Sequence, residues 1–324
     1  MSEAAVPAPP APVVNAPRRR RHSFVRDVLF GERQAVVGTI VIVFFTLVAV
    51  LAPHIAPYSV TQQTCAPYAG LSGKHLLGCD DGGIDMFSEL MWGARVSLIV
   101  GFAAAVVAMV IGGGVGVVSG FFGGRTDIVL MRITDYFLVI PDIPLMIVFA
   151  ALFGRHLLNI IIIIAIIYWT STARLIRAQV KSLRERVFVK RSRALGASNT
   201  RLIFKHVLPQ VTPLLIANTV LMVAIAMFAE TYVAFLGLGD PTQLSWGLLI
   251  SNAFQGGAMF RHAWWAIVTP GLCVTIVILA CTIVGQSMED AMNPRLKVGH
   301  LSVKRFGLRP IPTMRPAPGR WREE

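Results

Sequence analysis

Apolar residues are concentrated in six long runs separated by polar segments. The runs cover residues 35–52, 96–122, 133–153, 157–173, 211–229 and 263–285. A helix rises about 1.5 Å per residue and a span crosses roughly 30 Å of hydrocarbon, so each run approaches the required length once residues at the membrane surface are added. The pattern predicts an all-α, polytopic membrane protein with six transmembrane helices.

The third run is the least uniform, because it contains Asp135, Pro141, Asp142 and Pro144. It is kept as a span, since no other segment nearby would return the chain across the membrane. Asp135 follows Arg132 by three residues, and helical residues at that spacing share a face. A local ion pair between them at the membrane surface is therefore expected.

Basic residues are distributed unevenly between these runs. Residues 174–205 contain ten Lys or Arg and one acid, Glu185. If the N-terminus is cytoplasmic, all but four of the 30 Lys and Arg residues fall on the cytoplasmic side. The exceptions are Lys74, Arg95, Arg155 and Arg261. Because Lys and Arg close to spans are retained in the cytoplasm, both termini and the segment 174–205 are predicted to be cytoplasmic.

The spans and their orientation define the segments of the chain. They are a basic cytoplasmic tail at 1–34, a first transmembrane helix at 35–53, an external loop at 54–92, a five-helix core at 93–290 and a cytoplasmic tail at 291–324. The core includes a long cytoplasmic loop at 174–208. No cleavage site of small residues follows the first run, so the first span is expected to be retained as a signal anchor.

The composition agrees with a membrane protein and excludes other classes. The chain has 324 residues, of which 55% are hydrophobic and 15% charged, and its mean hydropathy is +0.65. Anionic lipid attracts Arg and Lys at the membrane surface, which accounts for the net charge of +13, so lipid and not nucleic acid is the expected contact. There is no nucleophile motif, metal-ligand spacing or phosphate-binding loop, which predicts no catalytic residue, no metal and no cofactor in this chain.

Two of the four cysteines, Cys65 and Cys79, fall in the predicted external loop on the oxidising side of the membrane. They form either a disulfide or two free thiols, and the sequence leaves both open, since it does not give the distance between their Cα atoms. Cys273 and Cys281 lie in the last apolar run, where they are expected to pack as small apolar side chains.

Glycines recur at every fourth position near the end of the second run. They are Gly112, Gly116, Gly120 and Gly124. A smooth glycine face lets another helix approach closely, and this role in helix packing is preferred to one in lining a pore.

Glu230 is the one acid near the outer end of the fifth span. It is a candidate for gating the external mouth or for holding two membrane subunits in register. An interfacial glutamate that reaches water is the open alternative.

The loop at 174–208 alternates apolar and basic residues at roughly helical spacing. Gly196 interrupts this pattern, and Ser198 or Asn199 can cap a second short helix that runs to Leu208 before Pro209. The loop is either a rigid protrusion for a soluble partner or an interfacial helix on anionic lipid, and its physical pattern leaves both open.

The same loop contains sequence blocks of a known family. RALGAS at 193–198 and FKHVLP at 204–209 resemble the cytoplasmic coupling loop of ATP-binding-cassette importer permeases. The blocks HLLGCD at 75–80, WGARVSL at 92–98, FLGLG at 235–239 and DAMNPRL at 290–296 are similar to the dipeptide/oligopeptide/nickel permease group. The chain most resembles the C-type subunit of the permease pair.

The resemblance implies the function and the partners. It implies a channel-forming subunit in the cytoplasmic membrane that works with a second permease, two ATPases that bind ATP and Mg²⁺, and an extracytoplasmic substrate-binding protein. Small peptides are the implied cargo, with nickel or another small solute as the alternative. A secondary transporter is disfavoured, because the middles of the spans carry almost no charge. The implied ATPase contacts are Arg193, Ala194, Leu195, Gly196, Ala197 and Ser198.

One departure from the family pattern affects the charge of the coupling loop. Where the family has an acid followed by two small residues, this chain has Lys190, Arg191 and Ser192. Two cations in this place predict a partner ATPase groove that is more acidic than is usual for the family.

Overall fold

The structure, a computed structural model, describes residues 33–292, so the predictions for 1–32 and 293–324 lie outside the described residues. Within that range the regular secondary structure is helical, apart from an isolated bridge between Cys79 and Asp85. The helices are α1 Arg33–Ile55, α2 Met86–Phe122, α3 Gly124–Val139, α4 Asp142–Phe153, α5 Leu157–Arg184, α6 Val187–Ala194, α7 Asn199–Leu238, α8 Trp246–Gln255 and α9 Trp265–Met292. The all-α prediction is confirmed.

Among the described residues, five helices, α1, α2, α5, α7 and α9, are long and apolar enough to cross a membrane, and the pair α3 and α4 makes a sixth if it is counted as one span. The predicted third span is bent in the structure, because α3 and α4 meet at 89°. Proline lacks an N–H and pushes the residue before it out of the helical region. Accordingly, Ile140 is extended and the chain turns at Pro141 before α4 begins.

Two helices extend well beyond their apolar runs. The second begins at Met86 and not at Val96, because the side chain of Asp85 caps it by accepting from the N–H of Ser88 at 2.9 Å. Helix α5 continues to Arg184, so the prediction that the chain is a loop from Arg174 is wrong. Hydropathy marks where lipid contact ends, whereas the backbone hydrogen bonds of a helix continue into water.

Helices α2 and α5 approach each other through the predicted glycine face. A Cβ atom added to Gly116 or Gly120 would lie 2.7 and 2.8 Å from the carbonyl oxygens of Ala173 and Arg177, and Gly112 faces the backbone of α5 in the same way. Real Cβ contacts are not this short, so a larger residue would separate the helices.

Gly124 has a different role from the other three glycines. It has a φ of +55°, and nothing lies within 4 Å of the position that its Cβ would occupy. The prediction that it packs against a helix is therefore wrong. It allows the reversal between α2 and α3, because a positive φ costs glycine little.

The largest buried cluster surrounds Trp246 at the start of α8. This side chain has no solvent exposure, and its indole N–H donates to the carbonyl of Leu90 in α2 at 2.9 Å. Gly93, one turn further along α2, leaves space for the indole ring. The contact fixes α8 against α2.

Candidate coupling and translocation sites

The coupling segment, residues 185–198, connects α5 to α7 at the end of the bundle where α2 ends. Its helix α6 closes with Gly196, whose φ of +82° suits glycine. Ser198 then caps α7, and its side chain accepts from the N–H of Arg201. The predicted break at Gly196 and the cap at Ser198 therefore agree with the local geometry.

The sequence predicted that the helix capped by Ser198 ends at Leu208, and this prediction is wrong. The helix continues through Pro209 into the membrane-spanning part of α7. A π-helical turn at Ile203–Val207 precedes the proline and shifts the hydrogen-bond register, so that the N–H of Leu208 donates to the carbonyl of Ile203. The shift accommodates the N–H that proline lacks.

Helix α6 is attached to the bundle by one apolar side chain. Val189 is 1% exposed and packs in a cluster with residues of α2, α5 and α7. The residues implied to contact an ATPase lie at the other end of α6 and in the turn after it, and Leu195 is 89% exposed. Phe204, on the first turns of α7, is 65% exposed. The segment therefore packs on the bundle through Val189 and exposes apolar side chains to solvent.

The surface of the coupling segment is basic. Glu185, its only acid, lies 2.8 Å from Lys190, and this partner holds the pKa of the carboxyl below its usual value. The pair neutralises one of the two cations that replace the family's acidic pattern. Arg191 and Arg193 remain exposed.

The coupling segment also contacts the end of α2. Arg193 lies over the ring of Phe121, with 5.6 Å from its guanidinium carbon to the ring centre. Arg184, at the end of α5, donates to the carbonyls of Phe121 and Phe122 at 3.1 and 3.3 Å. These are terminal carbonyls of α2 that lack helical partners. Phe121 therefore connects α6 and α5 to α2.

A second link, which the sequence did not reveal, is centred on Asp127 near the start of α3. Its carboxylate accepts from Lys181 at 2.7 Å, from Arg177, and from the hydroxyl of Ser119. The donors come from α5 and α2, so one carboxylate joins three helices. The available signal was the spacing of Arg177 and Lys181, which puts two cations on one helical face.

Asp135 has a different partner from the predicted one. It pairs with Arg174 of α5, and the expected pair with Arg132 is wrong. Helix α3 lies beside α5, so a cation on the neighbouring helix reaches the carboxylate. Both members of the pair are about half exposed.

Glu230 lies inside the bundle and does not face water. It is 4% exposed on α7, and the hydroxyl of Ser97 in α2 donates to it at 3.4 Å. The same hydroxyl accepts from the backbone N–H of Trp246 in α8 at 3.1 Å. The interfacial alternative is therefore wrong, and Glu230 sits where three helices meet. Its gating role stays a prediction.

A cavity of about 800 Å³ opens at the end of the bundle opposite the coupling segment. Its lining includes Tyr58, Trp92, Arg95, Thr242 and Gln243. The side chain of Arg95 is exposed and supplies the positive charge of this lining. The cavity therefore combines aromatic, hydroxyl, amide and guanidinium groups.

The loop between α1 and α2 lies at the same end and brings the first two cysteines together. Their sulfur atoms are at bonding distance, and their Cα atoms are 6.6 Å apart. His75 joins them, since one ligand atom from each of Cys65, His75 and Cys79 lies within 4.8 Å of the others. The sequence predicted no metal-binding group, and on this point the structure differs, because loop folding brings together residues whose spacing matches no known motif.

Two families match the chain. The family described as "Binding-protein-dependent transport system inner membrane component" matches residues 112–298, more than half of the chain. The family described as "N-terminal TM domain of oligopeptide transport permease C" matches residues 23–69.

Individual relatives are similar over most of their length. An oligopeptide transport system permease protein of Bacillus subtilis is 36% identical over 270 residues, covering 82% of this chain and 87% of that protein. A dipeptide transport system permease protein of Alkalihalophilus pseudofirmus is 34% identical, with the same coverage. A di/tripeptide transport system permease protein of Pseudomonas aeruginosa is 33% identical and covers 82% and 89%. The chain therefore belongs to the binding-protein-dependent transport system inner membrane components, which are multi-pass proteins of the cytoplasmic membrane.

Proposed function

We propose that this chain is one of two related membrane subunits of an ATP-binding-cassette importer that carries di- or oligopeptides into the cytoplasm by alternating access. The observation that carries the proposal is the exposed coupling segment. Val189 packs this segment against the bundle, and the segment ends in a turn where Leu195 is 89% exposed. An exposed apolar side chain such as that of Leu195 would be buried if the turn bound in a cleft of a partner protein. The family match supports the permease role, and the names of the relatives support peptides over nickel as cargo.

ATP and Mg²⁺ are bound by two partner ATPases, and each permease places its coupling segment in one of them. When the ATPases close on ATP, they displace α6. Arg193 and Arg184 carry this displacement to Phe121, and the Asp127 ion pairs carry it to α3. The closure of the ATPases supplies the difference in binding energy that any change of conformational population requires.

The orientation of the chain follows from the same proposal. Both termini and the coupling segment lie in the cytoplasm. The loop between α1 and α2 and the cavity at Arg95 then face the outside, where a substrate-binding protein delivers the peptide. Glu230, buried between α2, α7 and α8 near this mouth, acts in gating through the packing of these helices and not by direct contact with the second permease.

The test uses the permease pair, the ATPases and the binding protein, reconstituted together in liposomes. Leu195→Asp puts a charge into the ATPase cleft and is expected to lower ATP-driven uptake of a labelled dipeptide by about tenfold or more, because buried interface anchors dominate binding energy. Leu195→Met is the matched control, since methionine keeps an apolar side chain of similar volume at the same position and should leave uptake unchanged.

Three outcomes would overturn parts of the proposal. Normal uptake by the Leu195→Asp transporter would remove the coupling role of this turn. Uptake of Ni²⁺ in place of the dipeptide would replace the cargo. Dipeptide uptake by the permeases alone, driven by a proton gradient, would exclude an importer powered by ATPases.

A further inference from the structure

The loop between α1 and α2 holds three metal-ligand side chains on a rigid backbone. Cys79 has no solvent exposure, its N–H donates to the carbonyl of Ala69 at 2.9 Å, and its own carbonyl accepts from the indole of Trp265 in α9. The N–H of Cys65 donates to the carbonyl of Gly83 at 3.2 Å. Both cysteines are therefore held in place by bonds other than the one between their sulfur atoms.

His75 is oriented by a buried carboxylate. Its Nδ1 lies 2.9 Å from Asp85, and its side chain is 11% exposed. The other carboxylate oxygen of Asp85 accepts from the N–H and the hydroxyl of Ser88, at 2.9 and 2.8 Å. With Nδ1 committed to Asp85, the nitrogen available to a metal is Nε2. A histidine whose second nitrogen bonds a carboxylate is the usual arrangement at zinc sites.

We propose that Cys65, His75 and Cys79 bind a thiolate-preferring divalent cation such as Zn²⁺ when the two cysteines are reduced, and that the disulfide is the metal-free state. Two thiolates and an imidazole suit zinc, and water completes the tetrahedron as the fourth ligand. One ring nitrogen of His75 and the two sulfur atoms already lie within 4.8 Å of one another, so side-chain rotations can bring the three residues around one ion.

Electrons and protons balance in the conversion of the disulfide state to the zinc-bound state. A dithiol reductant gives two electrons and two protons to the Cys65–Cys79 bond and becomes a disulfide itself, which leaves two thiols on the protein. Binding of Zn²⁺ then releases both thiol protons to solvent, because thiolate and not thiol is the ligand. In the reverse step a disulfide oxidant takes two electrons from the two thiolates and two protons from solvent, and becomes a dithiol. The Cys65–Cys79 bond forms again, and the ion leaves because two of its three protein ligands are lost.

The experiment uses the full-length chain in detergent, reduced with a phosphine, freed of metal with a chelator and titrated with Co²⁺ alone. The expected result is one Co²⁺ per chain with a thiolate-to-cobalt absorption band that Zn²⁺ abolishes by displacement. Cys65→Ser and Cys79→Ser should each lose the band. Cys281→Ser is the matched control, since this free cysteine lies sixteen residues along α9 from Trp265, which contacts Cys79, and the variant should bind as the unchanged protein does.

A further variant tests the role of Asp85. Asp85→Asn keeps an oxygen that can cap α2 but weakens the hold on His75, and it should lower Zn²⁺ affinity by about 10–100-fold. The disulfide form of the unchanged chain should bind no Co²⁺. Equal binding by the oxidised chain, equal binding by Cys65→Ser, or no band in the reduced chain would each overturn the proposal. None of these outcomes bears on peptide import, which is measured separately.

Discussion

At the scale of single residues, Asp127 and Asp135 offer a comparison within one helix. Both lie on α3 and both pair with an arginine of α5. Asp127 is 8% exposed and has three donors from two helices, whereas Asp135 and its partner are about half exposed. Removal of the charge from a buried carboxylate that accepts several hydrogen bonds costs more than the loss of a solvent-exposed ion pair.

Asp127→Asn is therefore expected to lower the free energy of unfolding by about 1–3 kcal/mol. Asp135→Asn, the control, should change it by about 0–1 kcal/mol. Titration with SDS in mixed micelles measures both. Equal losses in the two variants would show that Asp127 is no more important than a surface ion pair.

These two carboxylates also show which contacts the sequence predicts. The glycine break at Gly196 and the cap at Ser198 depend on neighbours in the chain. The sequence predicted the break and gave Ser198 as one of two candidate caps. The partner of Asp135 depends on which helix lies alongside, so the local choice of Arg132 was wrong. The sequence did not reveal the hydrogen-bond donors of Asp127. It also did not reveal the group formed by Cys65, His75 and Cys79. In both cases tertiary contacts bring the residues together.

At the scale of elements, the contact between α2 and α5 depends on single glycines. Gly116 faces the backbone of α5, and a Cβ there would lie 2.7 Å from the carbonyl oxygen of Ala173. Gly114, on the same helix, has nothing within 4 Å of its Cβ position. The pair separates the effect of helix contact from the effect of helix propensity.

Gly116→Ala is expected to destabilise the protein by about 1–3 kcal/mol, because the extra methyl group forces the two backbones apart. Gly114→Ala should be neutral or stabilise it by up to about 1 kcal/mol, because alanine favours a helix more than glycine does. Thermal unfolding in detergent compares the two variants. A stable Gly116→Ala protein would mean that α2 and α5 are not in such close contact.

The sequence predicted the presence of the long helices better than their ends. Apolar runs correctly locate α1, α2, α5, α7 and α9, because hydrocarbon requires apolar side chains. They do not show that α5 continues for another eleven residues to Arg184, since basic residues form helices readily in water. The prolines of the third run were noted, but only the folded chain shows that the helix bends by 89° there.

At the scale of the whole molecule, the proposed orientation puts two of the most exposed side chains on opposite sides of the membrane. Leu195 is 89% exposed in the coupling segment, and Phe260 is 92% exposed between α8 and α9. Their near-equal exposure makes them a matched pair, because a difference in labelling then reports the side of the membrane and not burial.

Leu195→Cys and Phe260→Cys, each in a chain whose four native cysteines are replaced by serine, test this orientation in intact cells. A membrane-impermeant maleimide should label Phe260→Cys directly, and it should label Leu195→Cys only after the membrane is permeabilised. Labelling of Leu195→Cys in intact cells would reverse the orientation and with it the proposed ATPase contact.

The glycine face between α2 and α5 has a mechanical consequence. Where the two backbones are in contact, no side chains lie between them that could rearrange when one helix moves. Helices α2 and α5 are therefore expected to tilt together as a rigid unit. A displacement of Arg184 at the end of α5 must then be taken up where this pair of helices adjoins other elements. The junction of α3 and α4 is one such place, because the helical hydrogen bonds are interrupted there at Pro141.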